Sequence, residues 1–180
     1  AELSRRNRMR EPAAFGVVRH LYERGYRRLG FVSAPTENND RAQERRRGFI
    51  SAIQEFGLER REDVILTTTF SLQAGAESLQ RILEMRPDTD AIFCANDTLA
   101  AGALLESQRL GLDVPGRVAI AGFDDLETSS HVIPALTTVR IRRREIGQRA
   151  AEMLLASVAG EPLTENKIDL RFEIVVRAST

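Results

Sequence analysis

The chain has 180 residues, 42% of them apolar, and its 26 basic residues balance its 26 acidic ones. That is enough apolar chain to bury a sizeable core in one or two small domains, while zero net charge excludes a general electrostatic pull onto nucleic acid or an anionic membrane. A single cysteine, Cys94, excludes a disulfide framework and a cysteine-based metal cluster, and no apolar run approaches the roughly 20 residues of a membrane-spanning helix.

Pro12 to Arg24 is predicted helical, with Phe15, Val18, Leu21 and Tyr22 forming an apolar stripe. No strand is predicted before it. Arg28 to Ser33 follows as a strand, then Arg41 to Phe56 as a helix with Phe49, Ile50, Ile53 and Phe56 on one face and Gly57 as a left-handed stop. Val64 to Thr68 is the next strand. Ser71 to Met85 is the next helix, with Ser71 as its N-cap and Pro87 just past its end. Ala91 to Cys94 repeats the strand pattern, Asp97 to Arg109 the helix pattern up to Gly111, and Arg117 to Gly122 the strand pattern again. Beyond the Asp124 loop come a short strand, Leu136 to Val139, a helix, Arg144 to Val158, and an extended segment, Ile168 to Val176, bent near Arg171.

Four strands joined by helical crossovers imply an α/β fold, a parallel sheet flanked by helices on both faces, because parallel neighbours need long connections. Ligands in such sheets sit beyond the carboxyl ends of the strands. Two strands here end in polar tips: Ile92-Phe-Cys-Ala-Asn-Asp97, and Val118-Ala-Ile-Ala-Gly-Phe-Asp-Asp125. Those tips are the first candidates for a binding site. No Gly-rich phosphate loop, Gly-Xaa-Ser-Xaa-Gly elbow or Cys–His spacing cue suggests catalysis. His20 and His131 have no metal-ligand spacing, so neither catalytic residue, metal nor cofactor is assigned.

Five segments together carry a family resemblance: Glu44-Arg-Arg-Arg-Gly-Phe49, Ala95-Asn-Asp97, Val118 to Asp125, Pro134-Ala-Leu-Thr-Thr-Val139 and the terminal Val176-Arg-Ala-Ser-Thr180. In order and spacing they resemble the effector-binding domain of lactose-repressor (LacI/GalR) regulators. The resemblance implies a periplasmic-binding-protein-like fold of two subdomains around a ligand cleft, the second complete and the first only partly present. Residues 1–26 are then expected to belong to the first subdomain, 27–135 to form the second, 136–163 to cross back to the first, and 164–180 to return to the second. A DNA-binding headpiece is not part of the matched plan. The two helices without their own strands, Pro12 to Arg24 and Arg144 to Val158, would belong to a sheet lying upstream, leaving their apolar faces exposed in a monomer.

The same resemblance implies the site. Arg45 matches an effector-clamping arginine, a planar fork of donors; without the resemblance it reads as a solvated helix residue beside Arg46 and Arg47. Asp124 matches an effector-binding aspartate whose oxygens accept from vicinal hydroxyls, the alternative being turn chemistry; Asp125 is assigned a structural role. Asn96 is either ligand or N-cap, and Asp97 a cap. Phe70 is placed where an aromatic ring covers the effector, or else in the core. Asn38, Asn39 and Asp40 are polar residues at the cleft mouth. The Asp-Asn pair that the family plan places near Arg8 and Met9 does not match this chain. Arg140 to Arg144 is taken as a solvated helix start.

The function implied is that of an effector-sensing, dimerising, cytoplasmic regulator domain. Its partners would be a small sugar, sugar acid or related metabolite, a second copy of the chain, and operator DNA only through the headpiece, with no membrane. Leu72, Leu104, His131 and Val132 are nominated for the dimer interface. A periplasmic sugar-binding protein of a transport system shares the fold and is the alternative, with an α/β enzyme behind it.

Overall fold

The computed structural model describes residues 12–160 and 171–180. Its centre is a four-stranded parallel sheet in the order β2-β1-β3-β4, built from β1 (Leu29–Ser33), β2 (Ile65–Thr67), β3 (Ala91–Cys94) and β4 (Ala119–Ala121). β1 is buried along its whole length, as expected for a parallel strand covered on both faces. Alternation along the strands divides the core into two layers. Leu29, Phe31, Phe93 and Ala121 face α1 (Ala13–Glu23) and α2 (Asp40–Glu55). Val32, Ile92, Cys94 and Ile120 face α3 (Leu72–Met85) and α4 (Asp97–Arg109).

The two helices of the second layer approach at backbone contact. A Cβ on Gly75 would lie 2.1 Å from the Leu99 carbonyl oxygen, and one on Gly102 would lie 2.0 Å from that of Leu72. Glycine at both positions therefore sets the helix spacing. The caps follow the sequence: Ser71 Oγ accepts from Ala74 N at 3.0 Å, and Gly57, at φ +62°, closes the turn after α2.

Two expectations are corrected here. The opening helix does not present an orphan face. Val17, Val18 and Leu21 of α1 are fully buried, packed with Phe31, Phe49 and Phe93 in the core of the sheet assigned to the second subdomain. An amphipathic stripe specifies that a face must be covered, and here α2 and the sheet cover it. Leu104 is likewise unavailable to a partner. It is 1% exposed and packs inward with Leu99, Ile120 and Leu136, whereas its neighbour Leu105 is 48% exposed.

After β4 the chain leaves the main sheet. Thr137 forms an isolated parallel bridge with Ala121, and β5 (Thr138–Ile141) starts two residues later than the apolar pattern predicts. β5 pairs antiparallel with β6 (Phe172–Val175). The tail then closes on β4: the Ile120 amide donates to Ser179 O at 2.9 Å, and Ser179 Oγ donates to Ile120 O at 2.6 Å. Arg171, at φ +52°, occupies the predicted bend. The helix between the ribbon strands, α5 (Arg143–Val158), buries none of its residues. Its Leu154, Leu155 and Val158 are 65%, 69% and 80% exposed.

Candidate functional site

The site lies at the carboxyl ends of β1, β3 and β4, where the two polar tips meet the first turns of α2. A cleft of about 290 Å³ is lined there by Asn39, Arg41, Arg45, Phe70, Asn96 and Asp124, with Ala34, Ala42 and Ala95 forming its floor. Three residues singled out in the sequence meet here, two of them on the carboxylate of the third. Arg45 Nη2 donates to Asp124 Oδ1 at 3.2 Å, and Asn96 Nδ2 donates to Asp124 Oδ2 at 2.8 Å. Phe70 lines the same cleft and is 54% exposed, so it is a surface ring at the site and not a core phenylalanine.

Each side chain is fixed from behind. Arg45 Nη1 donates to the Ala95 carbonyl at 2.5 Å, and its guanidinium lies 3.9 Å from the centroid of the Phe123 ring. That ring continues into the stack of Phe93, Phe31 and Phe49 beneath the site. A cation held over an aromatic face keeps its charge while its stem is buried. Burial presses the Arg45 pKa below its ordinary value, and the neighbouring Asp124 carboxylate opposes that shift; an arginine remains cationic regardless. Asn96 is the N-cap of α4 and also reaches Asp124. Its Oδ1 accepts from the Thr98 amide at 2.8 Å, capping α4, while its Nδ2 holds Asp124.

The Asp124 loop is zipped to the crossing segment. Gly122 N donates to Thr137 O at 2.8 Å and Asp124 N to Val139 O at 2.9 Å. Asp124 and Asp125 sit at φ +117° and +48°, conformations that aspartate adopts more readily than most residues and that recur at ligand-binding positions. Asp125 points away from the cleft and into structure: Arg177 Nη2 donates to its Oδ1 at 2.7 Å and Arg140 Nε to its Oδ2 at 2.6 Å.

Two residues escaped the sequence reading. Asp97 was assigned a cap, yet it is fully buried and organises the loop. Its Oδ2 accepts from Leu126 N at 2.8 Å and Ser129 Oγ at 2.7 Å, and its Oδ1 from Thr138 Oγ1 at 2.5 Å. Arg143, assigned to a solvated helix start, donates to the Asp124 carbonyl and lies 3.7 Å from its carboxylate. Nothing in the local sequence marks either contact, since both depend on which loops the fold brings together. Asn39 lines the cleft and caps α2, its Oδ1 accepting from Ala42 N at 3.1 Å. Arg8 and Met9 lie outside the described residues. Cys94, below the site, is buried, and burial pushes its thiol up to about 12, so it stays protonated and unreactive. Leu72, His131 and Val132 lie away from this cleft; Leu72 is 48% exposed.

As chemistry, the cleft offers a carboxylate that accepts, two guanidiniums and side-chain amides that donate, and a ring for an apolar face. That set suits a small polyhydroxylated molecule.

Comparison with known proteins gives a consistent result. The periplasmic binding protein-like domain matches residues 18–180. The chain is 37% identical over 169 residues to the HTH-type transcriptional regulator GntR of Pseudomonas aeruginosa, covering 93% of this chain and 49% of that protein. It is 33% identical over 168 residues to the HTH-type transcriptional repressor CytR of Escherichia coli, with the same coverage of 93% and 49%. The chain thus spans about half the length of the curated relatives it matches. Among solved structures, the transcription regulator GntR from Chromobacterium violaceum superposes with a TM-score of 0.88 at 42% identity, over 94% of this chain and 62% of that one. A LacI-family sugar-binding transcriptional regulator from Escherichia coli, complexed with phosphate, gives 0.86 at 25% identity over 94% and 60%.

Proposed function

The chain belongs to the periplasmic binding protein-like domain family, in the branch carried by LacI-type transcriptional regulators, and from that premise we propose that it is the effector-sensing domain of such a regulator. The carrying observation is the Asp124 carboxylate, held by Arg45 and Asn96 in an open cleft with both oxygens aimed by side chains from different elements. The effector is a small sugar, sugar acid or related metabolite. Its binding biases the relative orientation of two subdomains, and the coupling to DNA affinity equals the difference between its affinities for the two states. DNA contact belongs to a helix-turn-helix segment elsewhere in the whole protein, which acts in the cytoplasm and without catalysis.

Dimerisation is part of the same proposal. Its surface would comprise Leu72, the first residue of α3, with His131, Val132 and Ile133; Leu72 and Ile133 are 48% and 75% exposed, and Gln108 of α4 donates to the Ile133 carbonyl. A sedimentation series should show self-association that Leu72→Arg weakens; an unchanged series would remove this surface from the proposal.

The function is tested by melting the protein in the presence of sugars, sugar acids and nucleosides, alongside Asp124→Asn. Asparagine tolerates the positive φ, so the variant keeps the loop while replacing one carboxylate oxygen by a donor. A ligand that raises the melting temperature of the wild type and not of the variant supports the reading. Equal stabilisation of both would move the site elsewhere.

A further inference from the structure

The cations around the cleft outnumber the anions that can neutralise them. Arg41 lines the cleft one turn before Arg45 on α2 and, among the described residues, makes no ion pair. Its charge bears on Arg45 as a like charge. Arg45 has a partner, but a shared one: Asp124 Oδ1 lies 3.2 Å from Arg45 Nη2 and 3.7 Å from Arg143 Nη2. One carboxylate therefore serves two guanidiniums while a third stands without any. The other acid that acts on Arg45, Asp97, is buried behind the loop and satisfied by an amide and two hydroxyls. The residues that line the cleft thus bring two guanidiniums, Arg41 and Arg45, against one carboxylate, Asp124, and the charge without an ion pair among the described residues is the exposed one at the cleft wall.

A neutral polyol would leave this imbalance in place. An oxyanion would remove it, because a guanidinium binds carboxylate or phosphate through paired, charge-assisted hydrogen bonds. We infer that the cleft selects an anionic ligand, a polyhydroxylated molecule bearing a carboxylate or phosphate, and that Arg41 is the residue that sets this preference. The division of labour is then spatial. Asp124 and Asn96 take hydroxyl groups at the strand tips, and Arg41, beside Arg45, takes the acid group at the wall formed by α2. Arg143 contributes by drawing on the same Asp124 carboxylate, leaving Arg45 only partly compensated. The inference rests on the cleft being the ligand site.

The test is a charge-matched titration of the full chain with glucose, gluconate and glucose 6-phosphate, repeated with adenosine and adenosine 5′-monophosphate, followed by calorimetry and melting temperature. The variants are Arg41→Gln and, as a control on the exposed side of the same helix, Arg47→Gln. The expected result is an anionic member binding about tenfold or more tightly than its neutral counterpart, with the ratio collapsing in Arg41→Gln, intact in Arg47→Gln, and shrinking as salt is raised. The carboxylate and phosphate arms distinguish the two sources of the anion. A neutral member that binds as well as its charged counterpart, or a ratio unmoved by Arg41→Gln, overturns the inference and leaves the cleft assignment standing. Binding of charged and neutral members alike that Asp124→Asn does not disturb overturns the cleft assignment itself. Absence of binding across the whole set counts against both.

Discussion

A Cβ added to Gly122 would lie 2.2 Å from Oδ1 of Asp97, so the aspartate that opens α4 occupies the space a side chain would need at the glycine before the Asp124 loop. Leu136 and Ala100 close the other sides, at 2.9 and 3.3 Å. Gly122→Ala should therefore displace a buried carboxylate that three groups hold. Overpacking of this kind costs about 1–3 kcal/mol, measurable by chemical denaturation, and the displacement should also weaken ligand binding at Asp124. Unchanged stability in the alanine variant would show that the loop relaxes freely.

Asp97 itself offers a sharper comparison. Removing the carboxylate in Asp97→Ala leaves the Leu126 amide and two hydroxyls without their acceptor, and a buried unsatisfied donor costs about 1–3 kcal/mol. Asp97→Asn has a way out. Its oxygen can keep Leu126 N and Ser129 Oγ while its NH₂ donates to Thr138 Oγ1, a hydroxyl that can reverse its role. The asparagine variant should thus retain most of the stability that alanine loses. Equal losses in the two variants would mean that the charge, not the acceptor pattern, organises the loop.

These two residues also mark the limit of what the sequence discloses. The strand Ala91–Cys94 and the helix Asp97–Arg109 are legible to the residue, because an apolar run, an N-capping asparagine and a terminal glycine are all local signals. The strand tips alone pointed to Asn96 and Asp124, and the family resemblance added Arg45 to them. The contacts of Asp97 and Arg143 were not legible, since each joins segments separated by a crossover. The covering of α1 was misassigned for a related reason: helical periodicity reports an apolar stripe and is silent about which sheet receives it. Leu104 and Leu105 differ in exposure because they sit 100° apart on α4, a distinction that composition alone does not resolve.

Asp125 predicts an acid-limb signature. Burial pushes its pKa up, but the hydrogen bonds from Arg177 and Arg140 outweigh burial and hold it below the ordinary carboxylate value. A folded-state pKa below the unfolded one means that the unfolded chain binds the proton first, so the stabilisation is complete above about pH 3.9 and is lost as pH falls through the folded value. Asp125→Asn removes that linkage. Its stability should fall less steeply than the wild type between neutral pH and pH 3, in urea titrations at matched ionic strength. Parallel curves would indicate that Arg177 and Arg140 bind Asp125 without coupling to folding.

Hydrogen exchange should separate the helices by their packing. α3 and α4 touch at backbone distance through Gly75 and Gly102, and α4 buries nine of its residues, Asp97, Leu99, Ala100, Ala101, Gly102, Ala103, Leu104, Glu106 and Ser107. Their amides should open only with the whole fold. α5 has 16 residues and buries none among the described residues, and a helix of that length with so little burial is marginal in water. Among the described residues, it is tied to the site by the Arg143 contact at its first turn. Amides of α5 should therefore exchange orders of magnitude faster than those of α4, with Arg143→Gln accelerating the first turn further. Protection of α5 equal to that of α4 would mean that the exposed face of Leu154, Leu155 and Val158 is covered in solution, and its disappearance on dilution would identify the cover as a second copy of the chain.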